Sequence, residues 1–237
     1  MSSGFGIVDT FEGIHEKVFD QTIIPVMTEM LRIFPDSIVI ASGIYALLTL
    51  SYPYAVFFGS MLEAALVFRG INWFSKYTGA VGTNISNSDM YSERCRTGFS
   101  NPGSTMLGLS MFNDSSVAYP FPSAPIYMVT TAAAYIFTTL NYQSKELEAL
   151  GPAYASRYYV SATLLLILIG VFMSFRYFSA CDPFGILFMS VPIGLFVGFL
   201  LVRQNIQLLG PTSINLLGIP LLRNRTADGK KLYVCPK

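Results

Sequence analysis

The sequence predicts an all-α fold, a multi-pass transmembrane helical bundle of about five spans, each close to the length that crosses a bilayer. Apolar residues make up 52% of the 237 residues and charged residues only 12%, about half of the charged fraction of a soluble domain. Mean hydropathy is +0.50. The apolar runs are continuous and do not show the alternation of barrel strands, so helices are the remaining way to satisfy the backbone in lipid.

The apolar runs set the positions of the predicted spans. The first run is too long for one helix, and Ser51-Tyr52-Pro53 interrupts it, so we expect two helices back to back. The first of these is short, and it is either tilted or only partly embedded. The five predicted spans cover residues 37–51, 53–69, 122–140, 155–175 and 183–202.

Three regions follow from this division: an N-terminal segment 1–36, a bundle 37–203 that includes the polar loop 77–118, and a basic tail 204–237. Apolar residues at helical spacing after Asp9 predict an amphipathic helix in the N-terminal segment. That helix lies either on the membrane surface or against another protein.

The loop and the tail are the polar parts of the chain. Gly, Ser, Asn and Thr dominate the loop 77–118, and a loop of this length is usually functional or disordered. In the tail, Asp228-Gly229 predicts a short hairpin, which is marginal in water and needs a partner. Both regions are therefore candidate contacts with other protein subunits.

Composition excludes several classes of function. A net charge of +1 argues against nucleic acid as a partner. His15 is the single histidine, so a mechanism with two catalytic histidines is excluded. Cys95, Cys181 and Cys235 form no CxxC pair and predict neither a disulfide framework nor a zinc site. We therefore expect no metal and no cofactor.

Within the predicted spans, small residues predict close helix packing. Ser190, Gly194 and Gly198 are spaced by four and share one face of the fifth span. Glu63 is the one acid inside an apolar run, which makes it a functional candidate if it lies within the membrane. If the span ends early, Glu63 lies near the headgroups instead.

Three polar segments at the ends of predicted spans resemble the signatures of the type 2 phosphatidic acid phosphatase superfamily. The family signatures are K-x6-RP, PSGH and SR-x5-H-x3-D, carried on one face of a membrane bundle. Here the corresponding segments are Arg69 to Lys76, Tyr119-Pro-Phe-Pro-Ser-Ala-Pro125, and Arg176-Tyr-Phe-Ser-Ala-Cys-Asp182-Pro183.

The resemblance assigns positions in this chain. Arg69, Lys76 and Arg176 correspond to cationic residues that bind the lipid phosphate, although Arg69 and Lys76 are exchanged in type. Pro122 and Ser123 match the start of PSGH. Elsewhere the pattern is degenerate: the two catalytic histidines and the orienting aspartate of the family are replaced by Pro125, Asp182 and Ile186.

These departures imply that the chain keeps the fold of the phosphatase family without its reaction. It would then be a pseudoenzyme with no catalytic residue. Without the imidazoles, nucleophilic attack on phosphorus and protonation of the leaving alcohol lack their usual groups. Asp182 could in principle form an acyl-phosphate. A simpler interpretation makes Asp182 the N-cap of the fifth span, with Pro183 at the first helical position. Arg176 is likewise a snorkelling or lipid-phosphate contact.

The tail, residues 205–236, also resembles tails of multi-pass membrane proteins of large icosahedral DNA viruses. That resemblance implies a virion protein in the internal membrane beneath the capsid, with capsid proteins as partners. We therefore expect a non-catalytic structural protein that anchors a larger assembly in a bilayer. The alternatives are a lipid phosphatase or lipid-headgroup-binding protein of the phosphatidic acid phosphatase kind, and a subunit of an organellar membrane complex.

Overall fold

A computed structural model describes residues 24–78, 95, 121–150 and 152–218. The described residues are helical and contain no strand, which confirms the predicted all-α class for them. The amphipathic helix expected near Asp9, most of the polar loop and the tail hairpin lie outside the described residues. The helices are α1 (Ile24–Thr49), α2 (Tyr52–Thr78), α3 (Ala124–Tyr142), α4 (Ser144–Leu150), α5 (Pro152–Phe178), α6 (Phe184–Leu209) and a 3-10 helix (Pro211–Ile214).

The first apolar run forms two helices, as predicted. Thr49 ends α1 and Tyr52 begins α2, and Leu50 between them has a φ of 47°, which a continuing helix does not allow. The predicted border between residues 36 and 37 falls inside α1, because the helix runs through Pro35. An internal proline removes one backbone hydrogen bond and strains the preceding turn, and here the helix continues through it.

Fewer helices than predicted qualify as spans. Within the described residues, three helices are long and apolar enough to cross a membrane: Tyr52–Ser75, Tyr158–Phe178 and Phe184–Leu209. The predicted span 37–51 corresponds to the shorter apolar stretch Ile33–Thr49. The predicted span 122–140 forms α3, which carries several threonines and alanines and is mostly buried by its neighbours. Because other helices rather than solvent or lipid surround α3, its side chains need not be as apolar as those of an exposed span.

Contacts between the helices define two ends of the bundle. At one end, called the disulfide end, α5 finishes, α3 and α6 begin, and a Cys95–Cys181 disulfide joins the chain. At the opposite end, called the tail end, α3 finishes and the turn between α1 and α2 meets the segment after α6. The Tyr54 hydroxyl donates to the Leu216 carbonyl there, at 2.8 Å.

The bundle core is built around α3, which α6 accompanies in parallel from end to end. Gly194 and Gly198 of α6 pack on the α3 backbone, and beyond α3 the amide of Gln143 donates to the Ile214 carbonyl at 3.4 Å. α2 covers α3 on one side, where Phe68 contacts Tyr127. On the other side, α5 encloses a smaller core of residues Ile126, Val129, Ala133, Ile169, Phe172 and Leu187.

Candidate functional site

A buried group of polar side chains lies at the disulfide end, and we call it the Arg176–Asp182 site. It consists of Ser123, Arg176, Asp182 and Ser190, which come from the start of α3, the end of α5, the following turn and the first turns of α6. The antiparallel return of α5 to the start of α6 brings these separate stretches together. Each of the four residues is at most 4% exposed.

One carboxylate oxygen organises the site. Oδ2 of Asp182 accepts hydrogen bonds from Nε of Arg176 and from the Ser123 hydroxyl, both at 2.7 Å. Nη2 of Arg176 approaches the same oxygen at 2.7 Å. A buried charge is costly unless it is paired and hydrogen-bonded, so each ion stabilises the other in this position. The other oxygen, Oδ1, is buried and has no hydrogen-bond partner among the described residues.

Ser123 and Ser190 connect the start of α3 to α6. The backbone N–H of Ser123 donates to Oγ of Ser190 at 2.8 Å. The Ser190 hydroxyl in turn donates to the Ile186 carbonyl at 2.6 Å. Ser190, which the sequence placed on the packing face, therefore also satisfies a backbone donor that the beginning of a helix leaves free.

The cysteine prediction was wrong, because Cys95 and Cys181 form a disulfide. The carbonyl of Cys95 also accepts a hydrogen bond from Nη1 of Arg176 at 3.4 Å. The two cysteines are 86 residues apart and belong to no spacing motif, so composition and spacing gave no signal. A topological signal was present: in the five-span interpretation, the loop with Cys95 and the turn with Cys181 lie on the same membrane side.

Asp182 does not cap α6, which corrects the N-cap interpretation. Pro183 occupies the N-cap position with a φ of −67° and a ψ of 147°, and no side chain caps the helix. The carboxylate of Asp182 turns inward to Arg176 because that buried guanidinium is the stronger partner. Arg176 likewise differs from a snorkelling side chain, since 5% of it is exposed.

The remaining residues assigned from the resemblance lie around this site. Pro125 is buried in the first turn of α3, and Ile186 is half-buried in the first turn of α6. Arg69 lies on α2 with an exposed side chain, one residue after the buried Phe68. Lys76 is in the last turn of α2. The structure thus joins Ser123, Arg176 and Asp182 directly, while Arg69 lies on a neighbouring helix outside the cluster.

The small residues of α6 lie where α6 meets α3. A Cβ added to Gly194 would overlap Oγ1 of Thr130 and come within 2.7 Å of the Tyr127 carbonyl. A Cβ on Gly198 would come within 2.7 Å of the Ala134 side chain. Glycine at both positions therefore permits the close approach of the two backbones.

A second polar cluster links three helices nearer the tail end, and the sequence gave no indication of it. Nδ2 of Asn205 on α6 donates to Oγ of Ser60 on α2 at 2.8 Å and to the Tyr135 hydroxyl on α3 at 2.9 Å. Hydrogen bonds of this kind hold helices together in lipid. One turn further along α2, Glu63 accepts from Nε2 of Gln204 at 3.0 Å. Glu63 is thus paired across the α2–α6 contact.

The Arg176–Asp182 site can hold charge, but its geometry leaves little room for a ligand. The guanidinium that would bind a phosphate is buried against a carboxylate, and the same carboxylate engages Ser123. A phosphate would have to displace Asp182 and bring its own charge beside a buried acid. A scan against protein-family models and searches of curated proteins and of solved structures give no match to the chain.

Proposed function

We propose that this chain is a non-catalytic integral membrane protein that anchors a larger assembly in a bilayer. The bundle is the anchor, and the loop 77–118 and the tail 204–237 are the contacts with other protein subunits. The observation that carries this proposal is the closed Arg176–Asp182 pair. The cation that the phosphatase resemblance assigns to substrate already has a buried internal partner at 2.7 Å.

The helix packing supports a bundle that crosses the membrane five times. α6 is apolar enough to span, and α3 accompanies it from Ser123 at the disulfide end to Gln143 near Ile214. Because α3 lies beside α6 along its whole length, α3 crosses the membrane if α6 does. α1 packs beside α2, where Tyr45 contacts Tyr54, and near the disulfide end Phe34 of α1 contacts Phe172 of α5.

Exposed aromatic side chains support the same placement, because tyrosine and tryptophan concentrate at both membrane interfaces. Among the described residues, the exposed tryptophan and tyrosines at the disulfide end are Trp73, Tyr77 and Tyr177, and those at the tail end are Tyr45, Tyr52, Tyr142 and Tyr159. On α5, Tyr177 lies 18 positions after Tyr159, which corresponds to about 27 Å of helix. That length matches a hydrocarbon core of about 30 Å.

The proposed setting is the internal membrane of a virus particle, where whichever of the loop and the tail faces the shell contacts capsid proteins and the other contacts subunits on the opposite side; an organellar membrane complex is the alternative setting. Fractionation distinguishes them. We expect the protein to co-purify with intact particles at a fixed ratio to capsid protein after detergent-free washing at high salt. Recovery with an organellar complex would support the alternative, and recovery as a free monomer with enzymatic activity would end the anchoring proposal.

A lipid phosphatase or lipid-headgroup-binding protein is the second candidate, because one observation favours it. Two of the three stretches that resemble the family signatures supply Ser123, Arg176 and Asp182 to one cluster, and Oδ1 of Asp182 is left without a partner among the described residues. In this candidate, Oδ1 of Asp182 attacks phosphorus while the bond from phosphorus to the diacylglycerol oxygen breaks, and that oxygen takes a proton from water. Arg176 holds the phosphate, and a second water hydrolyses the acyl-phosphate and releases it.

Proteoliposomes that contain phosphatidic acid separate the two candidates. We expect the purified full chain to release no phosphate above protein-free liposomes. Turnover that is lost in Asp182→Asn and in Arg176→Ala, and retained in Lys145→Ala, would establish the enzyme. Lys145 is a suitable control because its side chain is exposed on α4 near the opposite end of the bundle.

A further inference from the structure

We propose that the disulfide end of the bundle faces an oxidising compartment and that the tail end faces the reducing, cytosolic side. In this orientation the Cys95–Cys181 disulfide fastens the chain over the Arg176–Asp182 pair. The inference rests on the proposed function in one respect, since it requires that the bundle crosses a membrane.

The disulfide itself carries the first part of the argument. Cys95 belongs to the long connection from α2 to α3, and Cys181 lies in the short turn from α5 to α6. Both connections are at the same end of the bundle, which is what allows residues 86 positions apart to bond. Disulfides form and persist in oxidising compartments and are rare in the cytosol. The end that holds this bond is therefore assigned to the oxidising side.

The charges of the tail give the second, independent part. The segment after the 3-10 helix is strongly basic, and cytosolic segments near spans carry an excess of lysine and arginine. At the disulfide end, Arg176 is neutralised by Asp182, and the other cations of α2 and its connection to α3 are Arg69, Lys76, Arg94 and Arg96, four against the five of the tail. The cations of the tail are Arg223, Arg225, Lys230, Lys231 and Lys237, against the single acid Asp228.

The position of the disulfide explains what it does at that end. Cys181 directly precedes Asp182 in the chain, and the carbonyl of Cys95 accepts a hydrogen bond from Arg176 at 3.4 Å. The bond thus holds one cysteine beside each member of the ion pair. With the disulfide closed, Arg176 has the Cys95 carbonyl as a second protein partner beside Asp182. Reduction frees Cys95 from Cys181 and so loosens this second partner.

Single-cysteine reporters test the orientation. In a Cys235→Ala chain, Thr212→Cys places a thiol at the tail end and Thr78→Cys places one at the disulfide end, both at exposed positions. Cells that make the protein in the endoplasmic reticulum are opened with digitonin, which permeabilises the plasma membrane only, and treated with a membrane-impermeant polyethylene glycol maleimide. We expect Thr212→Cys to react at once and Thr78→Cys to react only after internal membranes are dissolved.

The possible outcomes separate the two proposals. The reverse labelling order would overturn the orientation and leave the membrane anchor intact. Immediate reaction of both reporters, together with release of the protein by alkaline carbonate, would overturn the membrane-spanning function itself. Retention in the carbonate pellet with both reporters on one side would overturn the orientation and the five-span crossing, and would leave attachment to the membrane intact.

Thiol trapping tests the disulfide in the unaltered chain. After alkylation of free thiols and digestion without reductant, we expect mass spectrometry to find a peptide linked through Cys95 and Cys181, with Cys235 alkylated. Cys95→Ser should lower the unfolding temperature in detergent by several degrees, the size expected for losing a native disulfide. Cys235→Ser is the matched control and should leave it unchanged. Full alkylation of Cys95 and Cys181, or equal stability of the two variants, would overturn the proposed fastening.

Discussion

Asp182 and Arg176 are the two residues on which the disulfide end of the bundle depends. Three donors converge on Oδ2 of Asp182, so the carboxylate, the guanidinium and the Ser123 hydroxyl form one unit. Desolvating two ions is expensive, and the attraction between them offsets the cost only while both are present. Either residue is therefore expected to stabilise the bundle only when its partner is also present.

Removing one ion should therefore cost much more than removing both. Arg176→Ala leaves a buried unpaired carboxylate and should lower the free energy of unfolding by about 3–5 kcal/mol. The double variant Arg176→Met/Asp182→Leu should lose far less. Thermal unfolding in a mild detergent measures both, and Arg203→Met, which removes an exposed cation on α6, is the control. Equal losses in the single and double variants would show that the pair is not coupled.

The contact between α3 and α6 is the main element of the fold, and its closeness depends on glycine. Gly194 and Gly198 face carbonyl groups of α3 at distances that leave no room for a methyl group. Such contacts drive helix association in lipid, where van der Waals packing and hydrogen bonds replace the hydrophobic effect. This explains why small residues, Ser190, Gly194 and Gly198, occupy the positions of α6 that meet α3.

Gly194→Ala should separate α6 from α3 and lower the free energy of unfolding by about 1–3 kcal/mol, the usual cost of overpacking. Gly185→Ala on the same helix is a matched control, because an added Cβ there meets nothing within 4 Å. That control should be unchanged or slightly more stable, since alanine favours helix. Unfolding in detergent compares the two, and equal effects would contradict the close contact.

Asn205 makes the other specific link between helices. Asn205→Ala removes its hydrogen bonds to Ser60 and Tyr135. Because each hydrogen bond between membrane helices contributes roughly 0.6 kcal/mol on average, the loss should be about 1 kcal/mol. The exposed Gln207 lies two residues further on α6, and Gln207→Ala should have no measurable effect. A loss in Gln207→Ala as large as in Asn205→Ala would show that the effect does not come from the hydrogen bonds of Asn205.

Whether a feature could be predicted from the sequence depends on how far apart along the chain its interacting residues lie. Helix type and the break before Tyr52 depend on local composition, and both were predictable. The packing face of Ser190, Gly194 and Gly198 follows from helical periodicity within one element. The Cys95–Cys181 bond and the inward turn of Asp182 depend on how distant helices return to one end, and no local pattern encodes that register.

At the scale of the whole molecule, apolar side chains cover the outside as well as the core. Only 6% of the apolar stretch of α5 that could span a membrane is buried, against 44% of the corresponding stretch of α6. In water, a surface of this kind would aggregate, whereas lipid provides a matching solvent. The exposed leucines and isoleucines of α5 lie between the exposed Tyr159 and Tyr177. In the proposed placement, these two tyrosines mark the borders of the part of α5 that lies in the hydrocarbon core.

The single tryptophan gives a direct test of that depth. Trp73 is 67% exposed on α2 and lies at the disulfide end, so we expect it at the headgroup level. In proteoliposomes, its fluorescence should be quenched most by lipids brominated near the headgroup and least by lipids brominated near the chain ends. Trp73→Phe/Phe196→Trp moves the probe to an exposed position in the middle of α6, and there the order of quenching should reverse. The same order in both proteins would contradict the proposed placement, because residues separated by about half a bilayer along the helix direction would then share one depth.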